Sequence, residues 1–170
     1  MILSGQSIRE RKIFTPFFER SGDKGLSYGL GPAGYDVRVR GDIILCSGTP
    51  GRFMLASTIE HFAVPDDVLG VVHDKSTWAR LGLTVKNTVI EPGWRGYLTL
   101  ELSNDSDVSI HVREGSPIAQ IVFHLLDRPA ERPYAGKYQD QKAGVQEAIF
   151  DEALNEVAAE LGCPQRYLFR

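Results

Sequence analysis

From Tyr35 to Leu125 the chain is cut into short runs of alternating or β-rich residues, each closed by a turn signal, and this punctuation restricts the folds open to it. Tyr35-Asp36-Val37-Arg38-Val39-Arg40 alternates apolar and polar side chains, as a half-buried strand does. Similar runs recur at Ile43 to Cys46, Arg52 to Thr58, Val68 to His73, Leu83 to Ile90, Tyr97 to Asn104, Val108 to Val112 and Ile118 to Leu125. Thr49-Pro50-Gly51, Pro65-Asp66-Asp67, Glu91-Pro92-Gly93 and Arg113-Glu114-Gly115 separate most of them. Many short strands at this spacing predict a mainly β fold, a sandwich or barrel of the jelly-roll kind. A parallel α/β fold is disfavoured, because the helical patterns it needs between strands are missing.

The longer helices are expected at the two ends. Ser4 caps a short helix predicted to run to Ile13 and to stop before Pro16. From Gln146 to Leu161, Ile149, Ala153, Val157 and Leu161 recur every fourth position with carboxylates opposite, which predicts one amphipathic helix ended by Gly162 and Pro164. We therefore divide the chain into a β domain over 1–145 and a helical extension of the same domain over 146–170.

Bulk properties narrow the function classes. With 170 residues, 42% of them hydrophobic, the chain can bury a core without disulfides or a metal. A net charge of -3 argues against a broad nucleic-acid footprint, so any phosphate site must be local. Cys46 and Cys163 are isolated thiols without C-x-x-C spacing, and no long apolar run or signal-peptide pattern occurs. We expect a cytoplasmic protein that engages neither nucleic acid nor membrane.

Two segments carry chemistry. Lys75-Ser76-Thr77-x-x-Arg80 sets two cations and two hydroxyls within one helical turn after a strand. Such a turn suits charge-assisted bonds to phosphate, and equally a solvated surface; no Walker-type glycine loop accompanies it. In Tyr97-Leu98-Thr99-Leu100-Glu101-Leu102 the alternation puts the leucines on one face and Tyr97, Thr99 and Glu101 on the other. On an open face Glu101 is an ordinary surface acid. In a cleft its carboxylate would have a raised pKa and serve as general base and acid near neutral pH. Glu91, at the rim of the Pro-Gly turn, is either a second carboxylate of that cleft or a turn residue. His61, His73, His111 and His124 are scattered, without the H-x-E and P-C-x-x-C pattern of zinc deaminases. No Gly-x-Ser-x-Gly elbow supports a nucleophilic serine.

Taken in order, several segments carry a family resemblance. They are Pro32-Ala33-Gly34-Tyr35-Asp36-Val37-Arg38-Val39, Lys75-Ser76-Thr77-Trp78-Ala79-Arg80-Leu81-Gly82, Ile90-Glu91-Pro92-Gly93-Trp94-Arg95-Gly96, Thr99-Leu100-Glu101-Leu102-x-Asn104 and Lys137-Tyr138-Gln139-Asp140-Gln141. They resemble the ordered motifs of dCTP deaminases, which group with the trimeric dUTPases, and the resemblance runs from the N-terminus to about Gly144. It implies a dUTPase-like distorted barrel and hydrolysis of dCTP to dUTP and ammonia without zinc, supplying dUTP and dUMP for thymidylate synthesis. Glu101 falls at the proton-carrying glutamate, with Arg80 and Ser76 at catalytic positions beside it. Lys75, Ser76, Thr77 and Arg80 fall on the triphosphate segment, and Thr99 and Leu100 line the pocket. Glu91, Gln120, Tyr134, Lys137 and Gln141 match further nucleotide contacts. Mg2+ is implied with the triphosphate, held by phosphates, and so is a homotrimer with sites between subunits. The chain departs from the pattern at Glu91, where aspartate is usual, and in a link from Val85 to Glu91 that is two residues shorter. A dUMP-forming bifunctional enzyme, a dUTPase and a non-catalytic nucleotide-binding homologue are the alternatives.

Overall fold

In the computed structural model, residues 1–23, 26–48 and 51–149 are described. In chain order the elements are α1 (Gly5–Arg11), β1 (Phe14–Thr15), β2 (Ser21–Asp23), β3 (Leu26–Leu30), β4 (Tyr35–Arg40), β5 (Ile43–Leu45), β6 (Phe53–Ala63) and β7 (Val68–Asp74). They continue with α2 (Ser76–Ala79), β8 (Leu83–Val85), β9 (Val89–Ile90), β10 (Arg95–Asn104), β11 (Ile110–Val112) and β12 (Pro117–Leu125). The main sheet follows the order β8-β10-β6-β4-β12-β7-β9, with β1 against β6 and the β2–β3 ribbon on β4; β5 and β11 form a second, small sheet. All strand pairs are antiparallel. This is a mainly β, curled half-barrel, as the punctuation of the sequence predicts.

The alternation of β4 is realised residue by residue: Tyr35, Val37 and Val39 are buried, while Asp36, Arg38 and Arg40 lie outward. Phe14 stacks on Tyr35 at 4.2 Å between ring centroids and meets Phe62 and Phe123 edge-on at 5.1 and 5.4 Å. Burying such side chains contributes roughly 1.5–3 kcal/mol each, so this aromatic knot is a principal source of cohesion. Burial pushes the Tyr35 phenol up to about 12, and its oxygen accepts from Phe18 N–H at 3.0 Å.

The expected N-terminal helix is present over Gly5–Arg11, with Ser4 Oγ accepting from Ser7 N–H. The single strand expected over Leu83 to Ile90 is two. β8 pairs with β10 and β9 with β7, and between them Lys86 N–H donates to the Glu101 carbonyl while Val72 N–H donates to that of Thr88. Consecutive residues thus join the two ends of the sheet path, which curls the sheet. β6 runs beyond its expected end at Thr58 to Ala63, and β1, β2 and β3 lie outside the predicted runs. At its centre the register with β10 slips between Tyr97 and Thr99. There the Leu98 N–H, taken out of the ladder, donates to Thr58 Oγ1 at 3.0 Å.

At the other end of the chain, Gln146 to Ile149 are not helical; the remainder of the helix predicted there, and Cys163, lie outside the described residues. Among the described residues no helix is long and apolar enough to cross a membrane.

Candidate active site

β10 carries the carboxylate singled out by sequence. Cross-strand register sets Glu101 opposite Leu55 and Thr99 opposite Ser57, so these four residues share one face of the sheet. Glu101 is half-buried, and its Oε2 atom is enclosed without a hydrogen-bond partner among the described residues. Burial raises its pKa above the usual carboxylate value, with its own backbone amide pulling the other way. A carboxyl whose ionised form is disfavoured in this way is a stronger base than an exposed acid, which suits the exchange of a proton with a bound reactant. Thr99 sits beside it, 7% exposed. Leu100 points the other way and is fully buried in the core, so its side chain does not line the pocket; only its backbone can face a ligand.

The basic segment follows β7. Lys75 has extended backbone angles and α2 begins at Ser76, so the segment turns from strand to helix there. Trp78 anchors that helix, its Nε1–H donating to the Pro117 carbonyl at 2.6 Å, while Val85 N–H donates to Asp74 Oδ1 at 2.7 Å. Ser76, Thr77 and Arg80 are exposed, and Arg80 makes no ion pair among the described residues. Lys75 is different. Its ammonium lies 2.7 Å from Asp36 Oδ2, with the two side chains 10% and 14% exposed. Gln120 Nε2 donates to the other oxygen of Asp36 at 3.3 Å, so Lys75, just past β7, and Gln120 of β12 share one carboxylate. Within one chain, no hydrogen bond or ion pair among the described residues joins Ser76, Thr77 or Arg80 to Glu101 or Thr99.

The segment after β12 returns across β10. Gln139 clasps the Pro-Gly turn, its amide donating to the Gly93 and Tyr134 carbonyls and its oxygen accepting from Arg95 N–H. Trp94 Nε1–H donates to the Tyr138 carbonyl, and Tyr134 N–H to that of Pro92. Tyr134 Oη in turn accepts from Tyr138 N–H at 3.1 Å. Gln141 bridges Gly96, and its carbonyl accepts from Tyr97 N–H. The close fit needs a glycine: at Gly96, with φ of 143°, an added Cβ would lie 2.7 Å from the Gln141 nitrogen. Farther on, Gly144 N–H donates to Ser57 Oγ and Gln146 N–H to Thr99 Oγ1, so this tail lies on the face that holds Glu101. Lys137 donates to the Ile149 carbonyl and sits over the Tyr138 ring. Glu91 stands exposed at the rim of the turn, without a side-chain partner among the described residues.

Sequence reasoning did not single out Asp36, Ser57, Tyr138 or Gln139 as site residues. Asp36 carried a usable signal, as the one acid on the outward face of β4, ahead of Arg38 and Arg40; Ser57 carried none. Among the described residues, no three His, Cys, Asp or Glu side chains converge as a metal site would require.

Comparison with known proteins bears on this arrangement. Residues 40–126 match a family model described as dCTP deaminase-like. A dCTP deaminase of Campylobacter fetus is 37% identical over 167 residues, covering 81% of this chain and 89% of that protein. One of Thermococcus kodakarensis is 37% identical over 154 residues, covering 84% and 94%. Among solved structures, a native EIAV dUTPase superposes with a TM-score of 0.53 at 21% identity, covering 74% of this chain and 97% of that one. The Staphylococcus bacteriophage 80alpha dUTPase with dUPNHPP gives a TM-score of 0.52 at 17% identity, covering 72% and 84%. At these identities the structural likeness is one of fold.

Proposed function

This chain belongs to the dCTP deaminase-like family, and from that premise we propose that it hydrolyses dCTP to dUTP and ammonia. The observation that carries the proposal is Glu101: a half-buried carboxylate on β10, with one oxygen enclosed and without a hydrogen-bond partner among the described residues. In the reaction, Glu101 takes a proton from the water attacking C4 of cytosine. The same carboxyl passes that proton to the departing amino group, so that dCTP and water give dUTP and ammonia. Zinc has no part in this reading, because the carboxylate supplies the base.

Lys75, Ser76, Thr77 and Arg80 are proposed to meet the triphosphate, with Ser76 and Arg80 close enough to the base to help orient the water. The exposure of Ser76, Thr77 and Arg80, and the lack of any bond from them to Glu101 or Thr99 among the described residues, support a site completed between subunits, hence a homotrimer. Thr99, the Leu100 backbone and Glu91 are assigned to the nucleoside part, and Gln120, Tyr134, Lys137 and Gln141 to the phosphates. Mg2+ would arrive with the triphosphate and offset its charge. The hydroxyls and guanidinium of the basic segment fit phosphate oxygens rather than a cation, and magnesium favours phosphate ligands.

Purified protein incubated with dCTP or dUTP and Mg2+, with nucleotides resolved by chromatography and ammonia measured in parallel, tests the proposal. Equal amounts of dUTP and ammonia from dCTP support it. Release of dUMP and pyrophosphate would instead identify a bifunctional or dUTPase-like enzyme, and binding without turnover a regulatory homologue.

A further inference from the structure

Three neighbouring strands converge on one polar point of the outer sheet face. Register sets Asp36 of β4 opposite Gln120 of β12, and Gln120 opposite His73 of β7. Directly opposed residues of antiparallel strands project to the same side, and Lys75, two residues past His73 in extended backbone, returns to that side. Both oxygens of Asp36 are used there, one by Lys75 at 2.7 Å and one by Gln120 at 3.3 Å. A lysine stem has several rotatable bonds, and a largely buried ammonium without a carboxylate is costly. One acid therefore settles where two long, flexible donors stand. Neither donor is exhausted by it: the ammonium keeps two N–H groups and the amide keeps one.

We propose that Asp36 is the positioning residue of the triphosphate site, holding Lys75 and Gln120 as a preassembled pair of phosphate donors. The inference rests on the nucleotide reading of Lys75 and Gln120 given above. Its sign is distinctive. A carboxylate near a triphosphate repels it, so if Asp36 were only a neighbouring anion, neutralising it would tighten phosphate binding. If it positions the donors, neutralising it loosens binding.

The test uses the full chain and calorimetric titration with dCTP and Mg2+, with inorganic tripolyphosphate, and with dCMP. Asp36→Asn is expected to weaken dCTP and tripolyphosphate by about tenfold, the order of one charge-assisted contact, and to change dCMP by less than about twofold. Lys75→Met should do the same, and the double variant should bind about as well as the weaker single one, because the two residues act as a unit. Tighter or unchanged triphosphate binding in Asp36→Asn overturns the inference. So do multiplicative losses in the double variant, an equal loss for dCMP, or a wild-type protein that does not bind tripolyphosphate. Ammonia release is measured separately. If the binding pattern holds and no ammonia appears, the deaminase reading fails and the role of Asp36 stands; if ammonia appears and Asp36→Asn binds normally, the reverse is true.

Discussion

Replacing Glu101 by glutamine separates its chemical role from its structural cost. The wild-type carboxyl is half-buried with Oε2 enclosed and without a partner among the described residues, and burial raises its pKa. A raised carboxyl pKa means that the folded state resists ionisation, so ionised Glu101 works against folding. That penalty is absent below the ordinary value near 4.5, where the group is protonated folded and unfolded alike. It grows as pH rises through the raised folded value and is complete above it. A buried polar group without a partner costs about 1–3 kcal/mol, charged groups more than neutral ones, so Glu101→Gln should return on the order of 1 kcal/mol at pH 7. For a chain of this size that is a rise in Tm of roughly 2–4 °C. Loss of a general base should meanwhile lower kcat by about 10²–10⁴-fold. The assay pairs thermal melts of both proteins at pH 7 and near pH 4 with ammonia release from dCTP. A variant less stable than wild type at pH 7, or a Tm difference that does not shrink at pH 4, would refute the account of Glu101 as a desolvated carboxyl. Wild-type ammonia release in the variant would refute its role as proton carrier.

Other perturbations test the surroundings of the site. Lys137→Ala should weaken triphosphate binding by about tenfold while leaving the nucleoside affected by less than about twofold, as expected for a lost charge-assisted contact; titration of each ligand decides it. Gly96→Ala forces a Cβ against the Gln141 backbone at a φ disfavoured for alanine. It should lift the tail from β10, and limited proteolysis between Gln141 and Ile149 should become faster, with triphosphate affinity reduced. Glu60→Ala removes the fully buried partner of Arg38, which donates to it through both its backbone N–H and Nε. Breaking one side of such a pair typically costs about 3–5 kcal/mol, so the variant should melt far below wild type in denaturant titration.

What could be read from the sequence was what depends on local period, and what could not was what depends on strand partners. β4 and β12 lie close to where alternation put them, and alternation also put Glu101 on the face opposite the leucines, where local period left a surface acid and a cleft carboxylate both open. Local period also showed Leu100 to be a core residue, since it shares a face with Leu98 and Leu102; its pocket assignment came from the family motif instead. The break at Lys86 to Thr88 has no strong breaker residue. It arises because Leu83–Val85 finds β10 and Val89–Ile90 finds β7, a tertiary choice. The pairing of Lys75 with Asp36, 39 positions apart, likewise needs the register of three strands.

The slip between β6 and β10 bears directly on the site. Tyr97 stands opposite His61 but Thr99 opposite Ser57, so β6 spends two more residues than β10 over the same interval. Such an irregularity strands a backbone donor, and the Leu98 N–H is satisfied by Thr58 Oγ1, which itself donates to the Glu60 carbonyl. Thr58 is therefore the side chain that lets the irregularity exist inside a buried sheet. Beyond the slip, Ser57 and Thr99 face each other with Leu55 and Glu101 next in line, and the tail amides of Gly144 and Gln146 reach the two hydroxyls. A regular ladder continued from the Tyr97–His61 pair would oppose Thr99 to Ile59 and remove that matched pair of anchors. The irregular register thus sets the two hydroxyls opposite each other, and those side chains hold the tail on the face of β10 that carries Glu101.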